Sequence, residues 1–338
     1  MSAKIDKTVS GAGVPEARPD LPRLTTPEPG GRSPLFGILL KLLSLVSFMG
    51  MITIIKLAGQ DEIPLGEIVF FRSAFAMLPV MAYMAFRGVF LRAWKTGRPL
   101  AHLSRGIVGS AAMACNFLGV MLLPLPDAIA IGYAMPLMTV IFAAIFLGEK
   151  VRLFRWTAVA VGICGVLVIS LPKITLIESG LGSRESLGLL AMLGFTIFAA
   201  TASILVRRLV RTEQTHTIVL YFSLSSTILS LLTFPLGWVV PDPLTIVLLM
   251  IAGVCGGGAQ ILLTQSYRYA DVSTIAPFEY ASIILGLAIG YFMFGEVPTW
   301  SMLLGTVIVV SAGIAIIYRE HRLGLERRAQ RKLVTPQG

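Results

Sequence analysis

The chain has 338 residues, of which 55% are apolar and only 14% charged, with a mean hydropathy of +0.81. A soluble surface needs about 25% charged residues, so a soluble, a disordered and a fibrous protein are all excluded. The net charge of +10 would suit a nucleic-acid binder, but the positions of the bases assign it elsewhere, and no nucleic-acid partner is expected.

Residues 1–33 hold five prolines, four acids and five bases without apolar periodicity, and they read as a disordered tail rather than a signal peptide. Apolar runs follow near 35–57, 65–86, 104–123, 127–147, 154–171, 187–206, 217–240, 244–266, 272–295 and 299–318. Each is about the 20 residues that carry a helix across the hydrocarbon core. The breaks are short and rich in turn residues, as in Pro124-Leu125-Pro126-Asp127 and Pro241-Asp242-Pro243. The runs are too long and too apolar for barrel strands. The expected fold is therefore all-α, with ten transmembrane helices in a lipid bilayer.

Lys and Arg between the spans set the orientation. With the N-terminus inside, the inner segments hold 23 bases and the outer ones only Lys56, Lys173 and Arg184, leaving Lys41 and Arg72 within spans. Both termini are expected in the cytoplasm, and the net charge becomes a topology signal.

The two halves resemble each other. Gly109, Asn116, Asp127 and Trp156 fall on Gly253, Gln260, Asp271 and Trp300 at a constant offset of 144. Gly148-Glu149 matches Gly295-Glu296 at 147, and the stretch from Glu67 to Ser73 overlies Thr217 to Ser223 at 150, which pairs Arg72 with Phe222. Repeats at 34–171 and 187–318, flanked by the tail and by a basic segment at 319–338, hold five helices each. An odd number turns the second repeat upside down, and inverted repeats place a carrier's substrate site near the midplane between them.

The runs Glu67-Ile68-Val69-Phe70-Phe71-Arg72, Leu123-Pro124-Leu125-Pro126-Asp127-Ala128, Leu147-Gly148-Glu149, Tyr269-Ala270-Asp271 and Ala276-Pro277-Phe278-Glu279-Tyr280 carry a family resemblance over roughly 34–320. The chain resembles the drug/metabolite transporter superfamily, specifically its EamA-type ten-helix bacterial carriers. That resemblance implies a multi-pass protein of the cell inner membrane that moves a small organic metabolite by alternating access. The sub-branch is similar to bacterial riboflavin uptake transporters, and less so to S-adenosylmethionine uptake proteins, which carry a more basic residue near Glu279. Efflux of amino acids, drugs or other metabolites by the same fold is the further alternative. No enzyme activity and no cofactor are expected, and a monomer or homodimer would suffice.

Several polar residues inside spans are candidates for binding the substrate. A charge there is costly unless paired or hydrated. Arg72 either meets substrate, snorkels toward the outer interface or pairs with Glu67, five residues earlier. Glu279, beside the helix-disrupting Pro277, either handles a proton or cation or pairs with Arg72. Lys41 is expected to snorkel to the interface. Asn116, Gln260 and Gln265 offer neutral amide edges, with hydrogen bonding between helices as the plainer role. Tyr133, Phe278 and Tyr280 offer aromatic faces for a planar ligand such as riboflavin. Glu149 and Glu296, at helix ends, read as structural. His102, His216 and His321 have no metal-ligand spacing, and Cys115, Cys164 and Cys255 read as buried small apolar residues.

Overall fold

The computed structural model describes residues 34–60, 63–90, 94, 96–147, 153–174, 184–209, 212–270 and 275–334. The tail at 1–33, Gly148-Glu149 and Asp271 lie outside them. The regular structure of the described residues is all helical, with no strand. In chain order the helices are α1 (Pro34–Gln60), α2 (Leu65–Phe86), α3 (Pro99–Leu122), α4 (Leu125–Gly132), α5 (Met135–Leu147), α6 (Leu153–Ile174), α7 (Arg184–Leu209), α8 (Thr215–Leu231), α9 (Pro243–Tyr269), α10 (Ala281–Phe294) and α11 (Trp300–Val334). Short 3-10 turns occupy Phe234–Leu236 and Ala276–Tyr280.

Seven segments are long and apolar enough to cross a membrane, α4 running into α5 as one of them. Three shorter apolar helices, Trp156–Ser170, His216–Leu231 and Phe278–Phe294, bring the spans among the described residues to ten. The protein is a multi-pass membrane protein. Three spans differ from the uninterrupted runs of the sequence. The fourth breaks at Tyr133-Ala134 and the ninth opens with the 3-10 turn. The seventh stops at Leu231 instead of reaching 240, because Pro235 and Gly237, at φ 94°, cannot continue the helix.

The packing carries the two-fold relation between the halves. The most extensive contacts join α3 with α7 and α1 with α9, which exchange under the repeat. So do α2 with α9 and α3 with α8. The pairs α6 with α11, α2 with α8, and α4 with α10 each join equivalent helices of the two halves. The bundle core is thus built almost wholly from contacts between the repeats.

Close approach depends on glycine, since lipid supplies little hydrophobic drive between helices. A Cβ on Gly305 would sit 2.6 Å from the Gly165 carbonyl oxygen, so α6 and α11 touch backbone to backbone. On α9, a Cβ at Gly253 would lie 2.6 Å from Phe75 Cβ, and one at Gly257 would lie 2.5 Å from the Ala76 carbonyl oxygen of α2. Gly286 and Gly290 of α10 receive Ile129 and Pro126 of α4 in the same way. The four-residue glycine spacings in α9 and α10 therefore mark helix contacts.

Candidate functional site

Where a membrane helix breaks, its freed backbone groups need other partners. At the break in the ninth span the fourth span supplies one. Tyr133, at the end of α4, donates its hydroxyl to the Glu279 carbonyl oxygen at 2.6 Å and also bonds the Ser282 hydroxyl. Ser282 donates to that same carbonyl at 2.8 Å. The Tyr133 and Tyr280 rings lie 5.0 Å apart, centroid to centroid, and are tilted by 34°. The two tyrosines are separated by 147 positions, the offset that relates Gly148-Glu149 to Gly295-Glu296. Under that offset they are equivalent residues of the two repeats, and they meet where both helices are interrupted. With α4 only 8 residues long, the break lies about 12 Å from its start, close to the middle of a core about 30 Å thick.

Glu279 faces this junction with 54% of its side chain exposed, and Lys41 Nζ of α1 lies 3.5 Å from its carboxylate. Lys41 is only 2% exposed, so it does not snorkel. It turns inward because a carboxylate of the opposite repeat awaits it there. Phe278 is half-buried beside this group.

A second group lies between α2, α3, α8 and α9. Arg72 is buried (5% exposed) and pairs with neither Glu67 nor Glu279. Glu67 instead accepts the Val239 backbone N–H at 3.2 Å. Arg72 lies against α9, where a Cβ on Gly256 would come within 3.2 Å of its Nε. Arg105, whose charge acts on Arg72, belongs to the second turn of α3 and points inward instead of lying in a loop. Its guanidinium carbon sits 4.3 Å from the centre of the Phe222 ring. Arg72 Nε and Arg105 Nε and Nη1 are buried without a hydrogen-bond partner. Phe222 is the repeat mate of Arg72, so the pair breaks the pseudo-symmetry in the manner the sequence suggests.

Asn116 lies eleven residues beyond Arg105 on nearly the same face of α3, and Gln260 one turn beyond Gly256 on α9. Gln265 is elsewhere, donating to the Tyr83 hydroxyl at 2.7 Å near the far end of α2.

The bundle end formed by the α1–α2 and α3–α4 turns holds a third group. Lys56, counted in the sequence among outer-segment charges, is in fact buried within α1 (5% exposed). Its ammonium contacts Glu296 Oε1 at 2.7 Å and donates to the carbonyls of Leu123 at 2.6 Å and Val120 at 3.3 Å. Glu296 Oε2 accepts the Leu125 backbone N–H at 2.7 Å, the structural role expected of it. At the opposite end Glu213 accepts from the Thr96 hydroxyl at 2.8 Å and faces His102. No group of three or more potential metal ligands occurs among the described residues.

The sequence pattern of the EamA-like transporter family matches residues 35–171 and again 186–319. The chain belongs to the EamA-like transporter family. This EamA-like chain is 32% identical to a pseudopaline exporter of Pseudomonas aeruginosa over 83% of its own length and 95% of that protein's. It is 28% identical to an S-adenosylmethionine uptake transporter of Rickettsia conorii, covering 85% and 94% of the two chains. Identity to a riboflavin transporter of Rhizobium johnstonii is 29%, covering 77% and 83%. A solved structure with 20% identity superposes with a TM-score of 0.55 over 84% of this chain and 98% of the other. That likeness concerns the fold. The relatives place the EamA-like chain among small-molecule transporters of the drug/metabolite superfamily rather than among enzymes.

Proposed function

We propose that this protein carries a small metabolite with a flat ring across the bacterial inner membrane by alternating access, with both termini in the cytoplasm and riboflavin uptake as the substrate to test first. The observation that carries the reading is the junction of the two interrupted helices at Tyr133 and Tyr280. Discontinuous helices at equivalent places in two inverted repeats are where carriers hold substrate. The tyrosine pair offers a flat ring a stacking face, and Glu279, Phe278 and the amides of Asn116 and Gln260 offer further contacts. Rocking of one repeat on the other would open the junction to each side in turn, and the paired charges Lys56–Glu296 would part at one end of the stroke.

A second reading, uptake of S-adenosylmethionine, keeps the flat ring and adds a carboxylate. It is favoured by Arg72 and Arg105, which have no acidic partner among the described residues.

The test is growth of a riboflavin-requiring bacterium, unable to import the vitamin, that expresses the wild type, Tyr133→Ala or Glu279→Gln. Rescue by the wild type and its loss in a well-inserted variant support the reading. Absence of rescue despite membrane insertion overturns riboflavin and leaves labelled S-adenosylmethionine uptake as the next assay.

A further inference from the structure

We propose that Arg72 and Arg105 form a carboxylate-binding subsite, occupied by an acidic group of the transported metabolite and walled by Phe222 and the glycine face of α9. The inference rests on the carrier reading and, within it, sides with the second substrate reading, S-adenosylmethionine, against riboflavin. Two guanidinium groups are each buried at an Nε atom with no hydrogen-bond partner, Arg72 against α9 and Arg105 against Phe222 of α8, and the charge of Arg105 acts on Arg72. The acids of the surrounding helices are engaged elsewhere: Glu67 accepts from the backbone of Val239, Glu213 accepts from Thr96 and faces His102, and Glu279 is taken by Lys41.

The backbone is cut back to fit the arginine heads. A Cβ on Gly109 would collide with Arg105 Nη1, and one on Gly256 would crowd Arg72 Nε and Nη2 at 3.2 and 3.4 Å. Such fitting around two like charges, which repel each other, is not how a helix contact is stabilised; glycine or serine would close it at lower cost. A planar fork of donors fits a carboxylate bidentately, and a second fork fits its other face or oxygen. Riboflavin carries no such group at neutral pH, whereas an amino-acid-bearing metabolite does. Asn116, on nearly the same face of α3 as Arg105, is placed for the part of the ligand beyond its acid group.

The test uses the purified full-length chain in detergent, with its unfolding temperature followed in an anion-poor buffer as sodium acetate or sodium chloride is added. Wild type is compared with Arg72→Gln, Arg105→Gln and Arg72→Lys. The expected result is a saturable rise with acetate in the wild type. Either glutamine variant should need about tenfold to a hundredfold more acetate for the same rise, the equivalent of one charge-assisted hydrogen bond. Without added anion the glutamine variants should unfold no lower than the wild type, because each removes an uncompensated charge. Arg72→Lys should keep a weaker acetate response, so the comparison survives if a glutamine variant does not fold.

An equal response to chloride at equal concentration would keep the anion site but overturn the assignment to a substrate carboxylate. A wild type that does not respond, or responds as the glutamine variants do, overturns the subsite. The readout needs no transported substrate, so failure of riboflavin rescue leaves it interpretable.

Discussion

Replacement of Glu296 by glutamine is expected to destabilise the bundle far more than a surface charge change would. Lys56 is 5% exposed, and its ammonium has three partners, Glu296 and the carbonyls of Leu123 and Val120. Removing one member of a buried ion pair costs about 3–5 kcal/mol, because the other charge is left behind. The lower end applies, since 17% of the Glu296 side chain is exposed and Lys56 keeps its two carbonyls. Glutamine can still accept from the Leu125 N–H, whereas alanine orphans it at about 1–3 kcal/mol more. The ranking is therefore Glu296→Ala worse than Glu296→Gln. The double variant Lys56→Met/Glu296→Gln should be milder than its singles combined, because no lone charge remains. Unfolding by SDS titration in mixed micelles, followed by tryptophan fluorescence, measures the wild type, both Glu296 variants, Lys56→Met and the double variant. A double variant equal to the sum of the singles within about 0.5 kcal/mol would refute the argument, since coupled neighbours are non-additive.

Four further outcomes are expected. Tyr133→Phe removes one of two donors to the Glu279 carbonyl, so its stability should fall by only about 1 kcal/mol while uptake by vesicles drops several-fold; unchanged uptake would remove Tyr133 from the substrate path. Gly165→Leu should prevent α6 and α11 from meeting and leave aggregated protein on size exclusion, because a Cβ there already lies 2.9 Å from the Gly305 carbonyl oxygen. Gly50→Ala, with nothing within 4 Å of its Cβ, should instead stabilise α1 by up to about 1 kcal/mol in the same SDS titration. Lys41→Met should impair transport more than folding, since the Lys41–Glu279 contact is long at 3.5 Å; a loss of folded protein on expression would make the pair structural instead.

The span count was legible because nearly every helix in lipid is written as a local apolar run, and local runs need no knowledge of the fold. The repeat was legible through Gly109/Gly253 and Trp156/Trp300 for the same reason. The interruption of the fourth span was not, because apolar residues such as Ile131, Tyr133, Ala134 and Met135 continue across it without a polar marker. Comparison of Tyr133 with Tyr280 at the 147 offset would have singled out both. Charge partners were the least legible. Lys41 meets Glu279, and Lys56 meets Glu296, across more than two hundred residues, so hydropathy and spacing could only place each lysine relative to a membrane face. Arg105 was hidden by its neighbours: with Arg87, Arg92, Lys95 and Arg98 preceding it, it read as the last base of a cytoplasmic loop. Its inward turn follows from Phe222, a residue of the other repeat.

Arg72 and Phe222 stand at equivalent positions, yet one is a cation and the other a ring on which Arg105 rests. A homodimer of two five-helix subunits could not be built this way. Any codon placing arginine at that position would place it twice, and the added cation would stand where Arg105 now finds an aromatic face. Joining the two halves in a single reading frame lifts that constraint. Each position can then mutate without its counterpart, so a lopsided binding surface can evolve inside a scaffold whose helix contacts stay symmetrical.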